Sequence, residues 1–596
     1  MPVRAGKLRR SQSVTQFGPG AVIDMPSMSM IVLSADHWDI TKCGKIDEPR
    51  LARKMRVNNF RSPPWFDHGS SEGGLLADVF PGFLVCPNCR LLAHYVNFTS
   101  QRKGGEYRFL CTDCESKHGR EVIAFPSRFM VACGSGHLAD FPWHNFVHPG
   151  VNCGAKLLLK DSGRTGAITD LTVYCPQHQK SKNLGVAFGP DANQNLPRCS
   201  GEMPWLPESQ PEPCSDRLRV LLRGASNSYF ASTDSAISIP PWSDPIQLAI
   251  GLHADAFANV LDDENPAFAA RSLVKYGNYP ELVQFTPEQV LEALSVRRNG
   301  GTAALTSEGL RREEWNCLNS EVETSYPNAE FRSHKVEIHW SSSPLLDSVV
   351  AVERLREVRA LKGFTRIDPN PDIGDLGEVE AIKAGMQPSA SAKLKWLPGA
   401  EFRGEGIFFT LREDRLRKWE SRAAVLAYEQ NQAEIQAQWN EDHGRPTAIP
   451  KPPRFTLLHT LSHLIVRQLS LDCGYSSAAL RERIYCSAER GLEMAGVLIY
   501  TATPDSEGSL GGLVEMARPH DFGPLLQRAL DSAELCAGDP HCASRTSNTP
   551  GNALNGAACH SCSLMSETSC EVSNRFLDRS LVVPTLNGAA LAFISR

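Results

Sequence analysis

The chain has 596 residues, 41% of them apolar and 22% charged, with a formal net charge of −5. That length exceeds what one hydrophobic core supports, so about three or four domains are expected in an ordinary globular composition. With 62 Lys and Arg against 67 Asp and Glu, the whole molecule is no nonspecific polycation. No run approaches the ~18 apolar residues of a membrane span, and the N-terminus shows no apolar signal core, so a cytoplasmic protein without membrane attachment is expected. In that compartment the 18 cysteines stay reduced, and their clustering at short spacings argues for metal rather than disulfides.

Charge is uneven along the chain. Residues 1 to 61 hold 11 Lys or Arg and 5 Asp or Glu, and Lys7, Arg9 and Arg10 stand just before a Phe17-Gly18-Pro19-Gly20 turn. The basic residues are candidate nucleic-acid contacts, and the turn is one whose backbone donors can face an anion; an exposed basic arm that is only solvated is the plain alternative. Gly69-Ser70-Ser71-Glu72-Gly73 formally matches a hydrolase nucleophile elbow. The preceding Pro63-Pro64-Trp65 lacks the buried strand that motif needs, so a polar loop is expected.

Cys86-x2-Cys89 and Cys111-x2-Cys114 form the paired knuckles of a zinc ribbon, with the alternating stretch from Leu91 to Leu110 reading as a hairpin around Gly104-Gly105. A looser set follows. Cys153 precedes a Cys175-Pro-Gln-His178 knuckle, and Cys199 supplies a fourth ligand, so Cys153, Cys175, His178 and Cys199 are expected together. Cys133, His137 and Cys214 are left over, with His137 either a ligand of a third site or a hydrogen-bonded structural histidine.

Beyond Leu218 the pattern predicts a strand and a loop, then helices over 245–261, from a Thr286 cap to about Arg297, and over 344–361 ending at Gly363. A long polar helix is expected over 419–440, and the Pro-rich tract 444–453 reads as a boundary. The stretch from Leu457 to Leu469 reads as an apolar helix with His459 and His463 one turn apart. Partner or core packing is favoured there over metal, because no acidic residue stands between them as in a zinc protease. Strands are expected near 482–485 and 497–503, the latter leading into a Gly-rich turn at 507–512 that lacks a phosphate-loop lysine.

Near the C-terminus the spacing is C-x5-C-x16-C-x2-C-x7-C. Five cysteines compete for four tetrahedral positions. Cys542, Cys559, Cys562 and Cys570 are the expected set, with Cys536 in reserve because a Gly-Asp-Pro turn follows it. The fold class expected is α+β and multidomain, with zinc-ribbon-like modules near the N-terminus and a zinc-stabilised C-terminal domain. Its parts are a basic N-terminal segment (1–75), a zinc-binding region (76–215), a mixed α/β middle (216–445) and a C-terminal cysteine module (446–596).

Gly556-Ala-Ala-Cys559-His560-Ser-Cys562, then Glu567-Thr-Ser-Cys570-Glu571 and Asn574 with Leu577-Asp578-Arg579, resemble the cysteine module at the end of certain superfamily 2 helicases. They also resemble the free-standing DrmB family of the DISARM phage-defence system. Arg10-Ser11-Gln12 with Phe17-Gly18-Pro19-Gly20, Leu355-Arg-Glu-Val358 with Gly363-Phe-Thr-Arg366, and Gly404-Glu-Gly406-Ile-Phe-Phe409 with Trp419 point the same way. The resemblance implies a DISARM component that pairs with DrmA, a helicase-like ATPase, and helps it engage foreign DNA.

The residues show no G-x4-G-K-[ST], no acidic helicase box, no H-E-x-x-H and no H-x-K nuclease signature, so a non-catalytic zinc-stabilised binding protein is expected. The rival classes are a zinc nuclease or hydrolase with scattered carboxylates and a transcription or RNA-binding zinc protein.

Overall fold

A computed structural model describes the chain except residues 1–5, 7, 10, 26–27, 65–73, 104–105, 152, 164–165, 190–191, 301–305, 321–328, 338–344, 369–386, 390–394, 443–448, 502–511, 547–553, 587 and 595–596. Lys7, Arg10, the Ser70 motif and most of the 507–512 turn therefore lie outside the described residues.

At the centre is an antiparallel sheet made of β1 (Phe230–Ile237), β2 (Leu346–Thr365), β3 (Trp396–Leu411), β4 (Leu480–Ser487) and β5 (Met494–Thr501), in the order β1-β2-β3-β5-β4. Both faces are covered. Val349, Ile407, Phe409, Val497 and Ile499 pack with α2 (Pro453–Cys473) and α3 (Pro519–Glu534). Val350, Val352, Phe408 and Leu498 pack on the other side with Leu318 of α1 (Ser307–Asn319).

This double burial corrects the helix expected over 344–361, which is strand β2. A strand covered on both faces loses the polar-apolar alternation that identifies it, and its apolar residues happen to fall at helical intervals as well. The β-branched run Val349-Val350-Ala351-Val352 is the residual strand signal. Helix α2 is buried along most of its length. It starts with Pro453 in the first turn and stops at Gly474, whose φ of +73° ends the helix in a left-handed residue. Pro287–Asn299 carries the expected Thr286 capping box with Gln289, whereas 245–261 is broken into Pro245–Leu252, Ala254–Phe257 and a short turn at 260–262.

The cysteine-rich region is a second antiparallel sheet that runs from Lys180–Asn183 through Leu171–Cys175, Leu157–Asp161, Leu91–His94, Phe83–Val85, Ile123–Pro126 and Glu106–Leu110 to Thr99–Lys103. The hairpin between the first two knuckles is present, with Thr99–Lys103 paired to Glu106–Leu110. Pairing ignores the expected segment boundaries. Phe129–Ala132 pairs with Arg219–Leu222, and Asn59–Arg61 runs parallel to the start of β3, with Asn59 opposite Trp396.

The Phe17–Gly20 turn is turned inward, which overrides the reading that its amides face an anion. Gly20 donates its N–H to the Val32 carbonyl at 2.9 Å, has φ +84°, and lies so close to Phe364 that a Cβ would meet the ring at 2.6 Å. Its carbonyl accepts from Arg366 Nη2 at 2.7 Å. The same buried guanidinium donates to the carbonyls of Gly136 (3.0 Å) and Ser228 (2.5 Å), and lies 4.8 and 4.7 Å from the ring centres of Trp205 and Phe364.

A second buried cation closes the sheet onto α1. Arg483 of β4 grips Glu314 through Nε (2.7 Å) and Nη2 (2.8 Å), and Glu314 also accepts from the Ile237 N–H (3.0 Å) and the Tyr485 hydroxyl (3.1 Å). Burial alone pushes the Glu314 carboxyl up, but attraction and hydrogen bonding from Arg483 outweigh it and hold it below the ordinary carboxylate range. A carboxyl held low gives stability that is fully present above its unfolded value of ~4.3 and is lost as pH falls through its folded value. Folding stability is therefore expected to decline below about pH 4. Arg483→Met is expected to cost about 3–5 kcal/mol at pH 7 because it leaves a buried carboxylate with only the more distant Arg50, 4.0 Å away, as an ion-pair partner, and adding Glu314→Gln should recover part of the loss. Urea denaturation of the two variants and the wild type checks both.

Candidate metal centres

Four groups of donor atoms among the described residues have the composition and spacing of closed zinc sites. The first is Cys86, Cys89, Cys111 and Cys114. Cys86 follows strand Phe83–Val85, Arg90 takes a φ of +65° to close that knuckle, and Cys111 caps the short helix Thr112–His118 that carries Cys114. The sulfurs of Cys86 and Cys114 are 3.6 Å apart and those of Cys89 and Cys111 are 3.7 Å apart. Asn88 donates its side-chain N–H to Cys114 Sγ at 3.5 Å, favouring the thiolate. Four thiolates around zinc at ~2.3 Å stand about 3.8 Å apart, whereas a disulfide needs ~2.05 Å, so the spacing fits the ion and excludes the bond.

The middle cysteines divide differently from the expected set. Cys153, Cys175 and His178 do come together, with His178 Nδ1 3.5 and 3.4 Å from the two sulfurs. Their fourth neighbour is His148, not Cys199. His148 is 4% exposed, its Nε2 has no hydrogen-bond partner, and its ring centre is 4.9 Å from that of His178. Cys199 instead joins Cys133, His137 and Cys214. There His137 turns Nδ1 toward Cys133 Sγ (3.4 Å), while its Nε2 hydrogen-bonds the Glu212 carboxylate (3.2 Å). A carboxylate behind a histidine fixes the tautomer that presents a lone pair to a metal. Cys199 Sγ accepts from the Gly201 N–H at 3.3 Å.

The C-terminal group also departs from the expected set. Cys536, Cys542, Cys559 and Cys562 converge, with sulfur separations of 3.5 Å (Cys536 to Cys559) and 3.6 Å (Cys542 to Cys562, Cys559 to Cys562). Cys570 lies elsewhere, beside His459. The Gly-Asp-Pro turn after Cys536 does not remove that residue; it bends the chain back so that Cys542 can follow. Arg579 is fully buried and its Nη2 points at Cys542 Sγ from 3.5 Å. A tetrathiolate zinc site carries a formal charge of −2, and this guanidinium offsets part of it. His148 is not marked by the sequence pattern, and the third site left open for His137 takes Cys133, Cys199 and Cys214 as its other members. The one available signal for His148 was its distance of five residues from Cys153.

Nothing in these four groups leaves an open coordination position, so their chemistry is that of structural zinc. Arg9, the one described member of the basic trio, is exposed, and its carbonyl and N–H both bond Gln12 at the start of the first short helix.

Comparison with known proteins gives two family matches. Residues 461–563 match the MrfA Zn-binding domain, and residues 9–230 match a domain of unknown function (DUF8724). The chain is 31% identical over 581 residues, 95% of its own length and 98% of the relative's, to the DISARM protein DrmB of Bacillus paralicheniformis. Zinc is accordingly the metal for which these side chains are suited.

Because zinc binding is coupled to folding, Cys536→Ser is expected to remove one zinc per chain and lower the melting temperature. Elemental analysis beside thermal denaturation checks it. Retention of full metal content would exclude Cys536 from the C-terminal site.

Proposed function

Since the chain belongs to the DrmB family of DISARM components, we propose that it is a non-catalytic, zinc-stabilised subunit that pairs with a DrmA-like helicase or ATPase and engages foreign DNA directly or through that complex. The observation that carries this reading is the 31% identity that runs through 95% of the chain, because a match of that extent covers the central sheet and every metal group together. The closed donor sets add to it, and so does the absence of a phosphate loop from the sequence.

In this reading the zinc groups hold the shape of a docking subunit, and ATP turnover belongs to the partner. The purified chain alone is expected to hydrolyse ATP no faster than background and to leave DNA uncut. Turnover that survives exhaustive purification, or metal-dependent cleavage lost on mutation of a zinc ligand, would favour the enzyme reading instead.

Lys7, Arg9 and Arg10 are the residues we assign to nucleic-acid phosphates. The arm's local excess of positive charge in an otherwise acidic chain supports this, as does the exposure of Arg9. Each lost phosphate contact reduces the log-log salt slope of DNA binding by about 0.7 to 0.9. Arg9→Ala with Arg10→Ala is therefore expected to flatten the salt dependence of the assembled complex, weaken binding regardless of sequence, and leave zinc content unchanged. Filter binding across a salt series with DNA and with RNA measures it. A wild-type slope would return the arm to a purely solvated role, and a preference for RNA would favour the RNA-binding alternative.

A further inference from the structure

Helix α2 brings a fifth group of donors together, and this one mixes three kinds of ligand. His459, His463, Glu482 and Cys570 each offer one atom within 4.8 Å of all the others, and all four residues are buried. The two imidazoles come from successive turns of α2, the carboxylate from β4, and the thiol from the loop after the four-cysteine group. Strand β4 follows α2 after the short connection at 474–479, whereas Cys570 comes from far along the chain, so the convergence of all four is a product of the fold.

The hydrogen bonds behind the histidines decide what they present to the centre. His459 Nδ1 faces the Phe576 carbonyl at 3.3 Å, and His463 Nδ1 faces the Ser563 carbonyl at 2.7 Å. A carbonyl only accepts, so each Nδ1 carries a proton, and the neutral form of each ring turns a lone pair inward at Nε2. His459 Nε2 is 3.1 Å from Cys570 Sγ and 3.1 Å from Glu482 Oε1. His463 Nε2 is 3.4 Å from the same carboxylate oxygen and has no hydrogen-bond partner.

Backbone and hydroxyl donors meanwhile point at the other two. The Asn574 N–H donates to Cys570 Sγ at 3.1 Å, the Glu571 N–H donates to Glu482 Oε1 at 3.2 Å, and the Ser462 hydroxyl donates to Glu482 Oε2. Two lone pairs, a carboxylate oxygen and a sulfur thus converge away from water, and such a set of acceptors is costly unless a cation sits between them. Ligands of a tetrahedral zinc, at ~2.0–2.1 Å for nitrogen or oxygen and ~2.3 Å for sulfur, stand about 3.3–3.8 Å apart. The separations of 3.1–3.4 Å between the imidazole Nε2 atoms and the sulfur or carboxylate oxygen are close to that.

We propose that His459, His463, Glu482 and Cys570 form a closed zinc site of mixed nitrogen, oxygen and sulfur ligands, separate from the neighbouring four-cysteine site. The thiolate disfavours magnesium and calcium, and four protein ligands leave no place for a reactive water. A cavity of about 500 Å³, whose walls include Glu482, Cys570, Glu571 and Arg483, gives a small ion a route to the cluster. The site goes beyond the matched zinc-binding domain, which begins after His459 and ends before Cys570. Its effect is to clamp α2, β4 and the C-terminal loop at one point, fixing the cysteine module against the central sheet.

The test is elemental analysis of the full-length protein, wild type against His463→Ala and Cys570→Ser. Each variant is expected to hold one zinc fewer per chain and to keep the zinc of the four-cysteine group. Anomalous diffraction at the zinc edge from wild-type crystals supplies a readout that no folding defect can disturb, with a peak expected between the four side chains. Unchanged zinc content in both variants, or the absence of that peak from crystals that show the four-cysteine site occupied, would reduce the cluster to a hydrogen-bonded network and overturn the proposal.

Discussion

The guanidinium of Arg366 is the point on which the parts of this molecule depend. It reaches three backbone carbonyls, one from the N-terminal turn, one from the cysteine-rich region and one from the segment before β1, and two aromatic rings cover it. A hydrogen bond to a charged group contributes about 1.5–3 kcal/mol, and three of them offset much of the cost of burying the cation. Only a planar fork has donors in all three directions; a lysine would satisfy one carbonyl well and strand the others. Arg366 follows β2 directly, so the longest strand of the central sheet also fixes where the metal-rich region sits.

Much of this architecture was legible in the residues where the determinants are local. The ribbon knuckles, the Thr286 capping box and the apolar helix at Leu457 each depend on contacts within a few residues, and each stands where its pattern put it. Strand β2 was not legible, because two covering layers erase the alternation by which a half-exposed strand is recognised. The full membership of the middle and C-terminal cysteine groups was hard to read for a related reason. Spacing says that a cysteine belongs to some site, but only the path of the sheet decides that Cys199 returns to Cys133 and that His148 completes the pair of Cys153 and Cys175. Cys570 shows the same thing from the other side. Its eight-residue distance from Cys562 is suitable for a shared ion, yet the loop between them carries it to helix α2.

Buried polar groups recur in the same form, a guanidinium or imidazole held by partners drawn from distant segments. Arg483 joins α1 to β4, Arg579 stands behind a thiolate, and Glu212 stands behind His137. Such pairs add less net stability than apolar packing of equal volume, but they are intolerant of slippage, since a shift of one residue strands a charge. For a protein whose proposed role is to present a fixed surface to a motor, resistance to sliding matters more than the last few kcal/mol of stability. The metal groups enforce the same constraint with bonds of fixed length and angle.

The parallel pairing of Asn59–Arg61 with the first residues of β3 has a consequence for how the molecule is made. A ribosome releases chain at ~5–20 residues per second, so the early strand emerges on the order of tens of seconds before its partner exists. Over that interval the ribbon around Cys86 and Cys114 can already close on an ion, because its ligands leave the exit tunnel together. Metallation of the cysteine-rich region can thus precede formation of the central sheet, and a strand made early is among the last to find its place.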